Sequence, residues 1–223
     1  MHLQLVRHIP VTALLTAGML ALFAFEGRAQ GGELEKVEFD QASMEDLVDF
    51  LREGATGKAR NVLVDPRVNR DVSITMTLHK VTKGIAFAYA AELGGFDYRE
   101  ERHAIRIIPR PAKATVKAFL KRGKPVIERR AAGIIMPKVD FEDTELGQVV
   151  DDLAAASRQL DPGKRGLNLL LGPGVDPQTP VTLELQNIPM VQVLKYVGDF
   201  ARVDIRVDGH AIVFLKRRKV GSR

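Results

Sequence analysis

The sequence has 223 residues, no cysteine, 27% charged residues and a formal net charge of +5. Without cysteine there is no disulfide framework, no thiolate metal site and no lipid-modified cysteine at a cleavage point, so stability must come from packed cores. The mild basic excess tolerates an acidic partner or an anionic surface without demanding either, and the length allows one large or two small domains.

In chain order the first element is a leader. Arg7 and His8 form a short basic start, an uncharged apolar run extends from Ile9 to Phe25, and Gly27-Arg28-Ala29 places small residues where a signal peptidase reads. Residues 1–29 are therefore expected to be a secretory signal peptide, cleaved before Gln30, which sends the mature protein to the periplasm. The alternative is an inner-membrane anchor made by an uncleaved signal. The 17-residue run falls short of the roughly 20 residues of a comfortable span. Export also removes nucleic acid from the expected partners.

Val37-Glu38-Phe39 alternates apolar and polar residues, as a half-buried strand does. Met44, Leu47, Val48 and Leu51 then fall at i, i+3, i+4 and i+7, one apolar stripe on an amphipathic helix. Ser43 and Asp46 have the spacing of a capping box in front of it. Strands follow at Asn61–Val64, closed by a Pro turn, and at Ile74–Leu78. A second helix carries Ala86, Phe87, Ala90 and Leu93, and Phe96–Arg99 returns as Ala104–Ile108 in a hairpin.

The same series then recurs. Residues 61–110 align without a gap on residues 168–217 at an offset of 107, with thirteen of 50 positions identical. Upstream, VEFDQASMEDLVDFL aligns with VDFEDTELGQVVDDL at an offset of 102. The second copy has its own stripe at Leu146, Val149, Val150 and Leu153, strands at Leu167–Leu171 and Val181–Leu185, a helix with Val193, Leu194, Val197 and Phe200, and a hairpin through Asp208-Gly209. A period of this length marks two homologous modules, residues 37–110 and 137–217. The expected fold class is α+β: two tandem βαββαββ modules, each packing two helices against small mixed sheets.

These residues carry a resemblance. FDQASMEDLVDFL, NVLVDPRV, VSITMTLHKV and FDYREERHAIRIIP in the first copy, and FEDTELGQVVDDLA, NLLLGPGV, VTLELQNIPMVQVLKYV and VDIRVDGHAIVFLK in the second, resemble the short N-terminal domain of secretins and TonB-dependent receptors. The resemblance implies a periplasmic protein-contact module with two helices held between small sheets. In secretins such a domain meets inner-membrane platforms or cargo. In receptors it signals to an inner-membrane regulator. The sequence ends soon after the second module, so the expectation concerns the module and not a channel or barrel.

Residues 111–136 read as a basic linker and residues 218–223 as a basic tail. Lys113, Lys117, Lys121, Arg122, Lys124, Arg129 and Arg130 in the linker are candidate contacts for an anionic headgroup or acidic partner, with Val116, Phe119 and Leu120 as a short apolar stripe. A solvated linker is the plainer reading. Gly163-Lys164-Arg165-Gly166 fits the GxxG of a KH loop but sits between a helix and a strand, where a turn is expected. His103 and His210 hold equivalent hairpin positions without further ligands nearby, so no metal is expected. Glu100-Glu101 and Asp151-Asp152 are adjacent in sequence and point apart, which suits exposed charge better than acid–base work. No nucleophile–base motif is present, so no catalytic residue, cofactor or enzymatic activity is expected. The functional expectation is a protein-interaction factor accessory to an envelope secretion or assembly system, of secretin type, binding by sheet edges or module faces, with self-association open to it. The alternative is a basic protein that binds the anionic lipid or polymer of the envelope.

Overall fold

The computed structural model describes residues 32–53, 61–101, 104–111 and 123–217. The leader, His103, the tail, and linker residues Lys113, Val116, Lys117, Phe119, Leu120, Lys121 and Arg122 lie outside the described residues. The first repeat runs β1 (Glu33–Ala42), α1 (Met44–Arg52), β2 (Asn61–Val64), β3 (Ile74–Thr82), α2 (Lys83–Leu93), β4 (Phe96–Glu100) and β5 (Ala104–Pro109). Helix α3 (Lys124–Gly133) follows. The second repeat runs β6 (Ile135–Glu145), α4 (Leu146–Leu160), β7 (Leu169–Leu171), β8 (Pro180–Pro189), α5 (Met190–Phe200), β9 (Val203–Val207) and β10 (Ile212–Lys216).

Both repeats build the same α+β unit. An antiparallel ribbon pairs β1 with β3 in the first and β6 with β8 in the second. A three-stranded sheet places β5 between parallel β2 and antiparallel β4, and β10 likewise between β7 and β9. The irregularities repeat as well. Each ribbon shifts register at an equivalent place, between Phe39 and Ala42 and between Phe141 and Thr144. There Gln41 and Asp143 take φ of 50° and 47°, and their N–H groups donate to the hydroxyls of Thr75 and Thr182 at 3.1 and 3.0 Å. A bulge with one left-handed residue bends a ribbon onto its helices.

The helical stripes form the cores. Met44, Leu47, Val48 and Leu51 of α1 are buried, as are Leu146, Val149, Val150 and Leu153 of α4. Each such side chain is worth roughly 1.5–3 kcal/mol of transfer free energy. Ser43 and Asp46 form the capping box: the Ser43 N–H donates to the Asp46 carboxylate at 2.8 Å, and the Asp46 N–H donates to the Ser43 hydroxyl at 3.3 Å.

Several details differ from the sequence reading, among them that β7 starts at Leu169 and not at Leu167. Phe200, expected on the buried stripe of α5, is 58% exposed at the last residue of the helix. Part of the basic linker is helix α3, whose Ile127 and Ala131 are buried against the second unit. The last hairpin turns through Gly209 and His210, closed by the Asp208 N–H donating to the Ala211 carbonyl at 2.8 Å.

Candidate interaction surfaces

The two units dock on one another through one sheet of the second. The β7–β10–β9 sheet buries one face, through Leu169, Ile212 and Phe214, in its own core. Its other face carries Leu170, Ala211 and Val213 into the apolar cluster of the first unit. The sheet is thus apolar on both faces, and α2 is correspondingly buried around most of its circumference, from Ala86 to Ala91.

Polar groups fix the register. Asn168 spans the outward edge of β3: its amide oxygen accepts from the His79 N–H at 2.9 Å, and its amide nitrogen donates to the His79 carbonyl at 3.1 Å and to the His210 carbonyl at 2.9 Å. One side chain thereby satisfies an exposed strand edge as a neighbouring strand would. Arg206 makes a fork to Glu92 of α2, at 2.8 and 3.0 Å, while Asp208 accepts from the same guanidinium at 2.8 Å. The group is half-buried. Burial alone lowers the affinity of Arg206 for its proton, and the two carboxylates more than reverse this, so its pKa is raised. The Tyr89 hydroxyl is buried beside the His210 main chain and has no well-formed hydrogen bond among the described residues. Desolvation raises its pKa.

Where the units diverge, a groove of about 950 Å³ opens between the outer face of the β1–β3 ribbon and α4 with β7. Lys36, Glu38 and His79 line one wall and Asp151, Ala155 and Arg158 the other. Burial, with help from Arg158 and Lys36, lowers the His79 pKa. Burial and the neighbouring Asp152 raise that of Asp151. Arg158 acts on both residues, lowering the pKa of His79 and opposing the rise in that of Asp151.

Both ribbons leave long edges open. In an antiparallel pair, residues facing one another turn their main-chain groups either toward or away from each other together. His79 faces Lys36 and turns its own groups outward to Asn168, so Lys36 and then Glu38 turn theirs outward on β1. The equivalent residues of β6 are Lys138 and Asp140.

Of the basic residues singled out in the sequence, Lys124, Arg129 and Arg130 fall within α3. Lys124 lies 3.4 Å from Glu128, and Arg129 donates to the Pro125 carbonyl at 3.3 Å; both are exposed. Arg130 is structural: it donates to the Gly166 carbonyl at 3.1 Å and lies 3.9 Å from the Asp161 carboxylate. The GxxG turn folds over that same carboxylate, which accepts from the N–H groups of Gly163, Arg165 and Gly166 at 3.1, 3.0 and 2.9 Å. Burial by itself would raise the Asp161 pKa, but these donors and Arg130 bring it below the usual carboxylate range. The N–H groups that a KH loop would offer to phosphate are filled by the chain itself. Glu101 pairs with Arg106 at 2.7 Å, and Asp152 accepts from Gln148 at 2.8 Å. Among the described residues no group of His, Asp or Glu is arranged to hold a metal, and no helix is long and apolar enough to cross a membrane.

The docking, with Asn168, Arg206 and Glu92, was missed by sequence reasoning. A signal for it existed. Ala88 and Ile85 of the first copy are Lys195 and Gln192 in the second, so one copy is apolar on a helix face where the other is polar.

No family model matches the chain, and no curated protein matches it. Two solved structures of a candidate anti-sigma factor from Parabacteroides distasonis ATCC 8503 are similar to it, with 15% identity and a TM-score of 0.30 over 56% of this chain and 48% of that one. The chain spans about half the length of that neighbour. A likeness of this size assigns neither fold nor function.

Proposed function

We propose that this chain is an exported, non-enzymatic protein-interaction factor that serves an envelope secretion or assembly system of secretin type. The observation that carries the reading is the pair of long ribbons, each with an open edge. β1 and β6 have 10 and 11 residues and pair on one side only among the described residues. An extended segment of a partner can add to such an edge and satisfy its main-chain groups. The intramolecular docking supports the same reading, because Asn168 already satisfies a ribbon edge in this way. The leader and the resemblance to secretin and receptor N-terminal domains supply the address and the class of partner.

The test is affinity capture of the tagged, exported protein after crosslinking in the envelope. Wild type is expected to recover a secretin or inner-membrane platform component. Asp140→Pro removes one outward N–H from β6 and keeps the ribbon ladder, so it should recover at least about tenfold less. Recovery of no envelope component, or equal recovery with Asp140→Pro, contradicts edge addition. The surface-binding alternative predicts instead that the protein sediments with anionic vesicles at low salt and leaves them as ionic strength rises.

A further inference from the structure

The internal docking is head-to-tail, and both of its halves occur a second time, partly exposed among the described residues. The first unit offers the face of α2 and receives the sheet face of the second. Each contributing residue has an equivalent in the other copy. Tyr89, buried to 1% in the interface, corresponds to Tyr196, which is 39% exposed. Leu93 corresponds to the exposed Phe200, and Glu92, which holds Arg206, to Asp199. Val191, a turn earlier on α5, is exposed as well. Helix α3 packs against α5, yet Val191, Tyr196 and Phe200 stay exposed, so module 2 presents the equivalent of the receiving face again.

The inserting face recurs on the first unit. Leu170 corresponds to Leu63, which is 44% exposed on β2, and Ala211 to Ala104. Arg206 corresponds to the exposed Arg99, and Asp208 to Glu101. One position changes character: Val213 becomes Arg106, held by Glu101 at 2.7 Å. Its aliphatic stem and guanidinium can lie over an aromatic ring such as Tyr196.

We propose that a second copy of this chain docks its β2–β5–β4 sheet face on α5, repeating between molecules the contact that joins the units within one. Leu63 covers Tyr196 and Phe200, and Arg99 pairs with Asp199. Asp199 now lies 3.5 Å from Arg217 in an exposed pair, which exchange for Arg99 replaces with an ion pair of the Arg206–Glu92 kind. The contact is heterologous, so it leaves one free end of each type and propagates into a ring or an open filament. It lacks the tether that raises the local concentration inside the chain, and Arg106 makes it less apolar, so association belongs in the micromolar range or above. This self-association does not depend on the envelope partner and can fail or hold independently of it.

Sedimentation velocity of the mature protein up to about 200 µM, roughly 5 kcal/mol of standard binding free energy, tests it. Wild type should form oligomers that grow with concentration beyond the dimer. Leu63→Asp blocks the inserting end and Phe200→Asp the receiving end, and each alone should weaken association at least about tenfold. Mixed one to one, the two variants still hold one intact face of each kind and should form a dimer that grows no further. Neither position is in a core, and circular dichroism checks that both variants fold. A wild type that stays monomeric overturns the proposal. So does a mixture that stays monomeric, a Leu63→Asp variant that assembles as wild type does (α5 then meets α5 or the linker), or growth without limit in the mixture.

Discussion

Arg206 and Asn168 carry most of the polar specificity between the units. Arg206 is forked to Glu92 across the interface and braced by Asp208. Arg206→Ala leaves the largely buried Glu92 without its guanidinium and should cost about 3 kcal/mol in urea denaturation, whereas Glu92→Ala leaves Arg206 with Asp208 and should cost less. The double variant should cost less than the sum, because the two single changes remove the same ion pair. Two histidines stand at the same seam. Burial lowers the pKa of both His79 and His210; Arg158 and Lys36 lower His79 further, against Glu35 and Glu38, while Glu33 and Asp208 act against the burial of His210. In the unfolded chain both take up a proton near pH 6.5, and in the folded protein only at lower pH. Between those values the unfolded state binds more protons. Stability is therefore full above about pH 6.5 and is lost as the pH falls through it. Denaturation midpoints between pH 7.5 and 5 should decline less steeply in His79→Gln than in wild type.

Helices show what the sequence displays and what it hides. The stripes of α1 and α4 were legible because a 3.6-residue period needs only the chain itself. The capping box at Ser43 was legible for the same reason, since all its groups lie within four residues. Helix α4 has Glu145 at the equivalent position, with no side-chain cap, although Gln148 stands three residues on. Glu145→Ser should therefore complete a box and add about 1 kcal/mol to stability, while Ser43→Ala should remove a similar amount. Equal effects of Glu145→Ser and Glu145→Ala would contradict this. Helix α3 was not legible. Its two buried residues, Ile127 and Ala131, make too narrow a stripe to stand out from a basic linker. It is held by contacts far away in sequence, such as Arg130 with Gly166. Strand β7 is shorter than expected: the Leu167 N–H donates to the Ser157 hydroxyl at 2.8 Å rather than to a strand, and pairing with β10 starts at the Asn168 carbonyl, which accepts from the Ile212 N–H at 2.8 Å.

At the scale of the whole molecule, repetition decides the architecture. The self-alignment predicted two like units, and the bulges at Gln41 and Asp143 repeat to the atom that holds them. It could not show that one unit is built to receive the other, because that lies in the differences between copies rather than in the likeness. Ala88 against Lys195, Ile85 against Gln192 and Val213 against Arg106 mark which faces are covered. The two units leave a sheet face on the first, a helix face on the second and an open edge on each ribbon. The proposed envelope partner is assigned to those edges. A photo-crosslinking residue placed at Asp140, on the open edge of β6, tests that assignment most directly in living cells. A discrete adduct with one envelope protein, absent when the same probe replaces exposed Gln178, is the predicted result. No adduct at position 140, or the same products from both positions, would contradict it.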